Sequence, residues 1–429
     1  MAHVEQLVGS YRAWASNGAS RAPTWLKDLR EGGIARFHGL GFPNMKQEAW
    51  RFTSVAPIAE GSFELAKPPA RIPQIEDIRP FLLFEAGYRL VFVDGFFQPT
   101  LSTPFFDDVQ NLAHVVTHRQ DLVRQHLGKY APTDDRPFSA LNTAFVNEGA
   151  FVHVPAKAMI AEPIQLLFLA SGDQQVVTHP RNLVVLEREA RASIVETYAS
   201  LGTGAYWTNS VTEIVVGDGA RVDYHRVQRE SERAYHVATT QTRQGRDSTV
   251  HLHTVAFGAA LARHDIGAVM AGPGGRLILN GLYLLGGHQH ADHHTTIDHA
   301  ADHCESHEYF NGVLDQKSRG VFTGRIIVRP GAQKTDSKQT NNNLLLSADA
   351  HADSQPQLEI YADDVKCTHG STVGPLDPRA LFYLRSRGVG EEEARRLLTY
   401  GFAAEILGRM DVVALRAELD RIVRDRLAA

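Results

Sequence analysis

The stretch VGDGARVDYH, Val216–His225, shows the pattern that decides the fold of this chain. It reads as a turn followed by a strand, and similar units recur as EREARASIVE at Glu187–Glu196 and AGPGGRLILN at Ala271–Asn280. The first two units lie about 30 residues apart, and DSTVHLHT at Asp247–Thr254 falls at a similar further step. A unit that returns every ~20–30 residues in an all-strand region is typical of the stacked rungs of a β-solenoid.

The β-rich character extends from about residue 147 to about residue 372, with hardly any helical window. A β-sandwich built from regular hairpins is the alternative architecture. Few Asn-Gly or Gly-Asn pairs separate consecutive strands, which favours the solenoid. We therefore predict side chains that stack in register one rung apart, with Gly and Asn at the corners.

Helical patterns flank the β region on both sides. Leu7–Trp14 carries large apolar residues at three- to four-residue spacing. After Gly374, Asp377 is a good N-cap residue, and Pro378 occupies the first helical position. The predicted organisation is an N-terminal helical cap with a short β segment, a parallel β-helix core and a C-terminal helical domain, at residues 1–146, 147–374 and 375–429 respectively.

The composition excludes several classes of protein. Of 429 residues, 43% are hydrophobic and 22% are charged, with a net charge of −5, so a general nucleic-acid or anionic-membrane binder is not expected. No apolar run approaches the ~20 residues that span a bilayer, and the N-terminus lacks the apolar core of a signal peptide. With only two cysteines, a disulfide framework is excluded, and the cytoplasm is the expected location.

One of those cysteines, Cys367, lies two residues before His369 in a predicted strand. Side chains two apart in a strand point to the same face, so a thiolate and an imidazole there could share a soft metal or an iron–sulfur cluster. They cannot complete such a site alone, because structural sites usually take four ligands. The alternative is a buried small thiol beside an incidental histidine. Catalysis by a Cys–His pair is disfavoured, since no third orienting group is identifiable.

A histidine-dense stretch, GGHQHADHHTTIDHAADHCESHEYF, spans Gly286–Phe310. His288 and His290 lie two residues apart, so in a strand their side chains would point to the same face. With Cys304 they are metal-ligand candidates. Stacked imidazoles on a polar outer face of solenoid rungs would give the same pattern without a metal. The triple asparagine of QTNNNLLLS, at Gln339–Ser347, is interpreted as a stacked polar turn.

Nucleotide-binding motifs are absent from the sequence. PGAQKT, at Pro330–Thr335, lacks the frame of a P-loop, and neither G-x-G-x-x-G after a strand nor G-x-S-x-G occurs. We therefore expect no nucleotide hydrolysis by this chain.

Several segments resemble one known family. These are EAWRFTSVAPI, NEGAFVHVPAKAMIAEPIQL, HTTIDH, GVFTGRIIVRPGAQKTDSKQ and the long block QTNNNLLLSADAHADSQPQLEIYADDVKCTHGSTVGPLDPRALFYLRSRGVGEEEARRLL. Together they resemble the SufB/SufD family of iron–sulfur cluster assembly proteins over most of the chain. Gly370 follows His369 where SufB carries a glutamate, so the chain is most like the SufD branch.

The resemblance implies a fold and a set of partners. It implies a right-handed parallel β-helix between helical domains, in a complex with a SufB paralogue and the ATPase SufC. The family's C-terminal helices contact SufC, for which Leu381, Phe382, Tyr383 and Phe402 are candidate anchors. Alone, the chain is expected to form a homodimer.

The resemblance also gives Cys367 and His369 a role. The pair is implied to be half of a cluster site at the SufB interface, completed by a thiolate of another chain. The implied function is a non-catalytic scaffold that supports cluster formation and iron acquisition, with no cofactor tightly bound in isolation and only a transient iron–sulfur cluster in the complex. Two alternatives are a stand-alone metalloenzyme that uses His288, His290 and Cys304, and a polysaccharide-acting β-helix enzyme. The latter lacks a pair of carboxylates at rung spacing.

Overall fold

The computed structural model describes residues 2–16, 22–84, 87–103, 108–172 and 174–428. Within these described residues, two short 3-10 helices, at Glu48–Trp50 and Arg79–Phe81, accompany the α-helices. The α-helices are α1 Ala2–Ser16, α2 Thr24–Leu40, α3 Ala56–Ala59, α4 Ile75–Ile78, α5 Leu112–His118, α6 Gln120–His126, α7 Pro137–Ala144, α8 Pro378–Ser386, α9 Glu391–Leu407 and α10 Val413–Ala428.

The strands dominate the middle of the chain. In chain order they are β1 Glu64–Leu65, β2 Arg89–Val93, β3 Phe96–Phe97, β4 Val109–Asn111, β5 Ala150–Val154, β6 Ile164–Ala170, β7 Val176–Thr178, β8 Arg181–Leu186, β9 Arg191–Ser200, β10 Trp207–Val216, β11 Arg221–Arg229, β12 Tyr235–Gln244, β13 Thr249–Ala256, β14 Leu261–Met270, β15 Arg276–Leu285, β16 His290–His299, β17 Glu305–Leu314, β18 Arg319–Val328, β19 Asp336–Leu345, β20 His351–Ile360 and β21 Lys366–Gly374.

Successive strands alternate between two sheets. From β8 onward each strand pairs in parallel with the strand two further along the chain, so β8, β10 and their even-numbered successors form one sheet and β9, β11 and the odd-numbered strands form the other. Apolar side chains from both sheets fill the space between them. Hairpins would pair neighbouring strands antiparallel, so the sandwich alternative is excluded and the predicted parallel β-helix is confirmed.

The corners of the rungs follow a rule that differs from the prediction. A residue with positive φ stands two positions before each strand from β9 to β19 of the odd-numbered sheet; these residues are Glu189, Gly219, Asp247, Gly274, His303 and Lys334. Only two are glycine and none is asparagine, so the expectation of Gly and Asn at the corners was wrong for most rungs. Each of these N–H groups donates to a carbonyl of the next turn, at 2.7–3.1 Å. These bonds between rungs offset the cost of the left-handed conformation.

The N-terminal segment docks on the outer face of the even-numbered sheet. The Arg263 guanidinium lies 3.8 Å from the centre of the Trp50 ring and donates to Asp292. The Thr53 hydroxyl donates to the same Asp292 carboxylate at 2.6 Å and lies 3.0 Å from His290 Nε2. Because Arg263 and Asp292 are almost fully buried, this paired network fixes the position of the N-terminal region on the β-helix.

The C-terminal helices cover the outer face of the odd-numbered sheet. Their apolar residues form one cluster with strand residues, including Val227, Leu282, Val313, Ala403 and Leu415. Among the described residues, no helix has the length and apolarity needed to cross a membrane.

Candidate functional site

Cys367 and His369 lie in β21, the last strand of the odd-numbered sheet. Cys367 is in register with Ser337 of β19, and His369 is in register with Gln339. Ser337 and Gln339 are buried inside the solenoid, at 0% and 1% exposure. Cys367 and His369 therefore lie on the side of β21 that faces the solenoid axis.

The last rung is open to solvent. Among the described residues, β20 pairs only with β18 and β21 only with β19, so each is an edge strand of its sheet. His369 is exposed and Cys367 is half-buried, whereas the residues one rung below them are buried. The pair thus stands at the end of the β-helix, where a further strand could be added.

Polar side chains fill the interior beneath this open end. His299 Nε2, Ser306 Oγ and Ser337 Oγ form a chain with successive separations of 2.8 Å, directly below Cys367. In the neighbouring column, the Gln339 amide donates to the Glu308 carboxylate, directly below His369. Sequence reasoning missed both columns, although steps of about 30 residues back from the Cys–x–His pair lead to them.

The triple asparagine lies within a strand and not in a turn, so that interpretation was wrong. All three residues lie in β19, which continues straight through them. Asn341 and Asn343 point inward and hydrogen-bond at 2.8 Å, while Asn341 also donates to the Tyr283 hydroxyl at 3.1 Å. Asn342 points outward and accepts a hydrogen bond from Thr372 of the last rung. Amides thus replace apolar residues where the core approaches its open end.

The thiol of Cys367 is not activated within the single chain. Burial raises its pKa, and the negative charge of Asp336 acts in the same direction, against a backbone N–H of Ser337 that lowers it. A raised pKa keeps the thiol protonated at neutral pH, and a protonated thiol is a poor ligand. One imidazole and one protonated thiol offer a metal only part of a site.

Comparisons with known proteins identify the family. The family model described as "SUF system FeS cluster assembly, SufBD core domain" matches residues 168–402, and the SufBD N-terminal region matches residues 1–166. The chain belongs to the SufBD family. It is 34% identical to the SufBD family protein slr0076 of Synechocystis sp. over 94% of this chain and 91% of that protein. It is 30% identical to SufD of Escherichia coli, over 97% and 96% of the two chains. SufD of Bacillus subtilis is 27% identical, over 94% of each.

The other ligand candidates of this SufBD chain do not converge. His288 is exposed in the turn before β16, whereas His290 begins that strand and bonds to Thr53 on the outer face. Cys304 is buried in the interior, where its thiol donates to the Gly272 carbonyl at 3.4 Å and burial raises its pKa. The structure gives each of the three separate surroundings, so no observation favours a stand-alone metalloenzyme that uses them together.

A second cluster, on the outer face, groups three potential ligands. Atoms of Asp223, His251 and Asp411 lie within 4.8 Å of one another. Arg221 Nη2 lies 3.0 Å from Asp223, 3.1 Å from Asp411 and 3.5 Å from His251 Nδ1. The guanidinium therefore occupies the position between these groups that a metal cation would need. The cluster is an ion-pair network that links the loop before α10 to the sheet.

The four candidate partner anchors have different surroundings. Phe382 and Tyr383 of α8 are 74% and 58% exposed. Leu381 is half-buried, and α8 as a whole has no buried residue. Phe402 of α9 is half-buried and packs against the cluster that joins the helices to the sheet. Phe382 and Tyr383 are thus the two anchors that the chain itself leaves uncovered.

Buried Glu308 gives a prediction on stability. Burial raises its pKa to about 7, although the hydrogen bond from Gln339 opposes the rise. An unfolded glutamate releases its proton near its ordinary pKa of 4.5. Between these values the folded state holds one proton more than the unfolded state, so this residue makes stability fall as pH rises from about 4.5 to 7. The pKa difference corresponds to a loss of the order of 3 kcal/mol.

Glu308→Gln should remove this loss. We expect thermal unfolding midpoints at pH 5 and pH 8 to lie closer together in the variant than in the parent chain. The midpoint at pH 8 should be higher in the variant than in the parent. The exposed Glu305→Gln on the same strand is the matched control and should leave the difference unchanged. An equal pH dependence in Glu308→Gln and the parent would contradict the buried, protonated carboxyl.

Proposed function

We propose that this SufBD chain is a non-catalytic scaffold subunit of a cytoplasmic SufB–SufC–SufD-type complex that assembles iron–sulfur clusters and supports iron acquisition. In it, Cys367 and His369 contribute half of the site where the cluster forms. The observation that carries the proposal is the register of β21, which sets both side chains on the axis-facing side of the exposed last rung. A SufB paralogue that adds its own strands there would bring its ligands against them.

The ligand chemistry of Cys367 and His369 suits an iron–sulfur cluster that must be released after assembly. A thiolate binds iron strongly, while an imidazole is a weaker and more exchangeable ligand. A mixed site shared between two chains holds the cluster only while both chains are in place. The isolated chain should consequently retain little or no iron, and the cluster is a product of the complex and not a resident cofactor.

ATP hydrolysis is assigned to the separate SufC subunit, because this chain has no phosphate-binding motif. The exposed aromatic residues of α8 support a docking role for the C-terminal helices.

The test is native co-purification. The chain carries an affinity tag at its own chromosomal locus, and the proteins that elute with it are identified and quantified. The expected result is a SufB paralogue and a SufC-type ATPase in near-stoichiometric amounts. A chain that elutes alone, with stoichiometric tightly bound metal, would replace the proposal with the stand-alone metalloprotein.

Without its paralogue, the chain should form a two-fold dimer through the edge strands of the last rung. Ile360 and Val373, on β20 and β21, are 41% and 48% exposed there. Ile360→Lys with Val373→Lys places charges on both edges, which oppose strand pairing. We expect sedimentation at micromolar concentration to show a dimer for the parent chain and a monomer for this variant. Met159→Lys, at an exposed site outside the last rung, should remain dimeric, and a monomeric parent would refute the interface.

A further inference from the structure

Gln339 lies directly beneath His369, one rung deeper in the solenoid. Their Cα atoms are partners in the parallel pairing of β19 and β21, so the two residues lie on neighbouring strands about 4.8 Å apart along the solenoid axis. Gln339 is 1% exposed and His369 is exposed. The glutamine amide is therefore the buried polar group on the interior side of His369.

The two ends of this amide have different partners. Its Nε2 group donates to the Glu308 carboxylate on the rung below, which fixes the orientation of the amide. Its Oε1 atom is buried and accepts no hydrogen bond from the described residues. A buried acceptor without a partner is unfavourable, and an imidazole N–H donated from the next rung would satisfy it.

A glycine on the opposite sheet makes room for the amide. A Cβ atom at Gly324 would lie 2.2 Å from Gln339 Nε2, which is a steric clash. The space around the amide thus depends on Gly324, in addition to the hydrogen bond to Glu308.

We propose that Gln339 is a positioning residue whose Oε1 accepts a hydrogen bond from one ring nitrogen of His369. This holds the imidazole in one neutral tautomer and leaves its other nitrogen free to bind iron. Histidines that bind metals almost always donate their second ring N–H to such an acceptor. The inference rests on the proposed function for the ligand role of His369, but the hydrogen bond itself can be tested without any cluster.

The first test measures the tautomer of His369 by NMR in the full metal-free chain. The signals are assigned by comparison with His369→Ala. Gln339→Met keeps the length of the side chain and removes the acceptor, so the tautomer ratio should move from one dominant form towards that of a free histidine side chain. Gln244→Met is the matched control, because Gln244 is also fully buried in the interior with an unpartnered Oε1. An identical ratio in Gln339→Met and the parent chain would overturn the proposal.

The second test exchanges the two buried groups. Glu308→Gln with Gln339→Glu restores an acceptor beneath His369 and keeps the net charge, so it should recover the single tautomer. In the reconstituted complex, Gln339→Met should lower cluster yield about tenfold with assembly intact, and the exchange should recover it. If the tautomer ratio shifts in Gln339→Met but His369→Ala still gives full cluster yield, the positioning role stands and the proposed function is refuted. If the tautomer ratio is unchanged in Gln339→Met but the cluster is lost in His369→Ala, the proposed function stands and the positioning role is refuted.

Discussion

His369→Ala should reduce cluster formation to near background in a complex reconstituted with SufB and SufC, while the three proteins still assemble. The imidazole lies on the exposed last rung and contributes no packing to the core, so its removal costs the fold little. Loss of one ligand from a site that the chain only half supplies leaves too few ligands to hold iron. The measurement is the cluster absorbance of each complex beside its elution volume in size-exclusion chromatography.

Two further variants separate ligation from general effects on the last rung. His351→Ala removes another exposed histidine, on β20, and should leave the cluster yield unchanged. Cys367→Ala should have a smaller effect than His369→Ala if the essential thiolate belongs to SufB, since Cys367 is half-buried and packs against the apolar cluster that contains Ile326 and Val328. Full cluster yield from the His369→Ala complex would exclude the site while leaving the family assignment intact.

The fold could be predicted from the sequence because each rung repeats one local unit. The turn that precedes β11 contains Gly219, and its equivalents precede β13 and β15. What the sequence could not show is that Glu189 and Lys334 adopt the same left-handed conformation, because the inter-rung bonds that stabilise them exist only after the rungs stack. Residue identity alone predicts glycine at such positions.

The candidate site could be predicted only in its outermost layer. Cys367 and His369 are visible as a Cys–x–His pair, and alternation in a strand puts them on one face. Glu308 and Gln339 are separated from His369 by 61 and 30 residues, and only the register of β17, β19 and β21 places them in one column. The histidine-rich stretch misled for the same reason, since His288 falls in a turn, His290 faces outward and His299 faces inward.

Helix α8 forms because its ends are well specified. The Asp377 side chain accepts a hydrogen bond from Arg379 N at 2.9 Å, and Pro378 occupies the first turn. Gly388, with φ of +87°, lets the chain turn away after the helix. The helix packs on α9 but buries none of its residues, so it presents its aromatic side chains to solvent.

Phe382→Ala with Tyr383→Ala should therefore weaken binding of SufC about 1,000-fold without changing the stability of the chain. Aromatic residues buried at an interface each contribute about 2 kcal/mol or more, and about 4 kcal/mol in total corresponds to that factor. Neither ring is buried within the chain, and the Arg387 guanidinium lies 5.3 Å from the centre of the Tyr383 ring, so folding loses at most a weak contact.

Titration calorimetry with purified SufC measures the effect, and the thermal unfolding midpoint of the variant checks the fold. Phe402→Leu serves as the contrasting substitution, because the Phe402 side chain packs against the intramolecular cluster. That variant should lower stability more than it lowers affinity. Deletion of residues 375–429 should abolish binding altogether. Unchanged affinity in the double variant, or binding retained by the truncated chain, would mean that SufC docks elsewhere and that the exposed rings of α8 meet another partner.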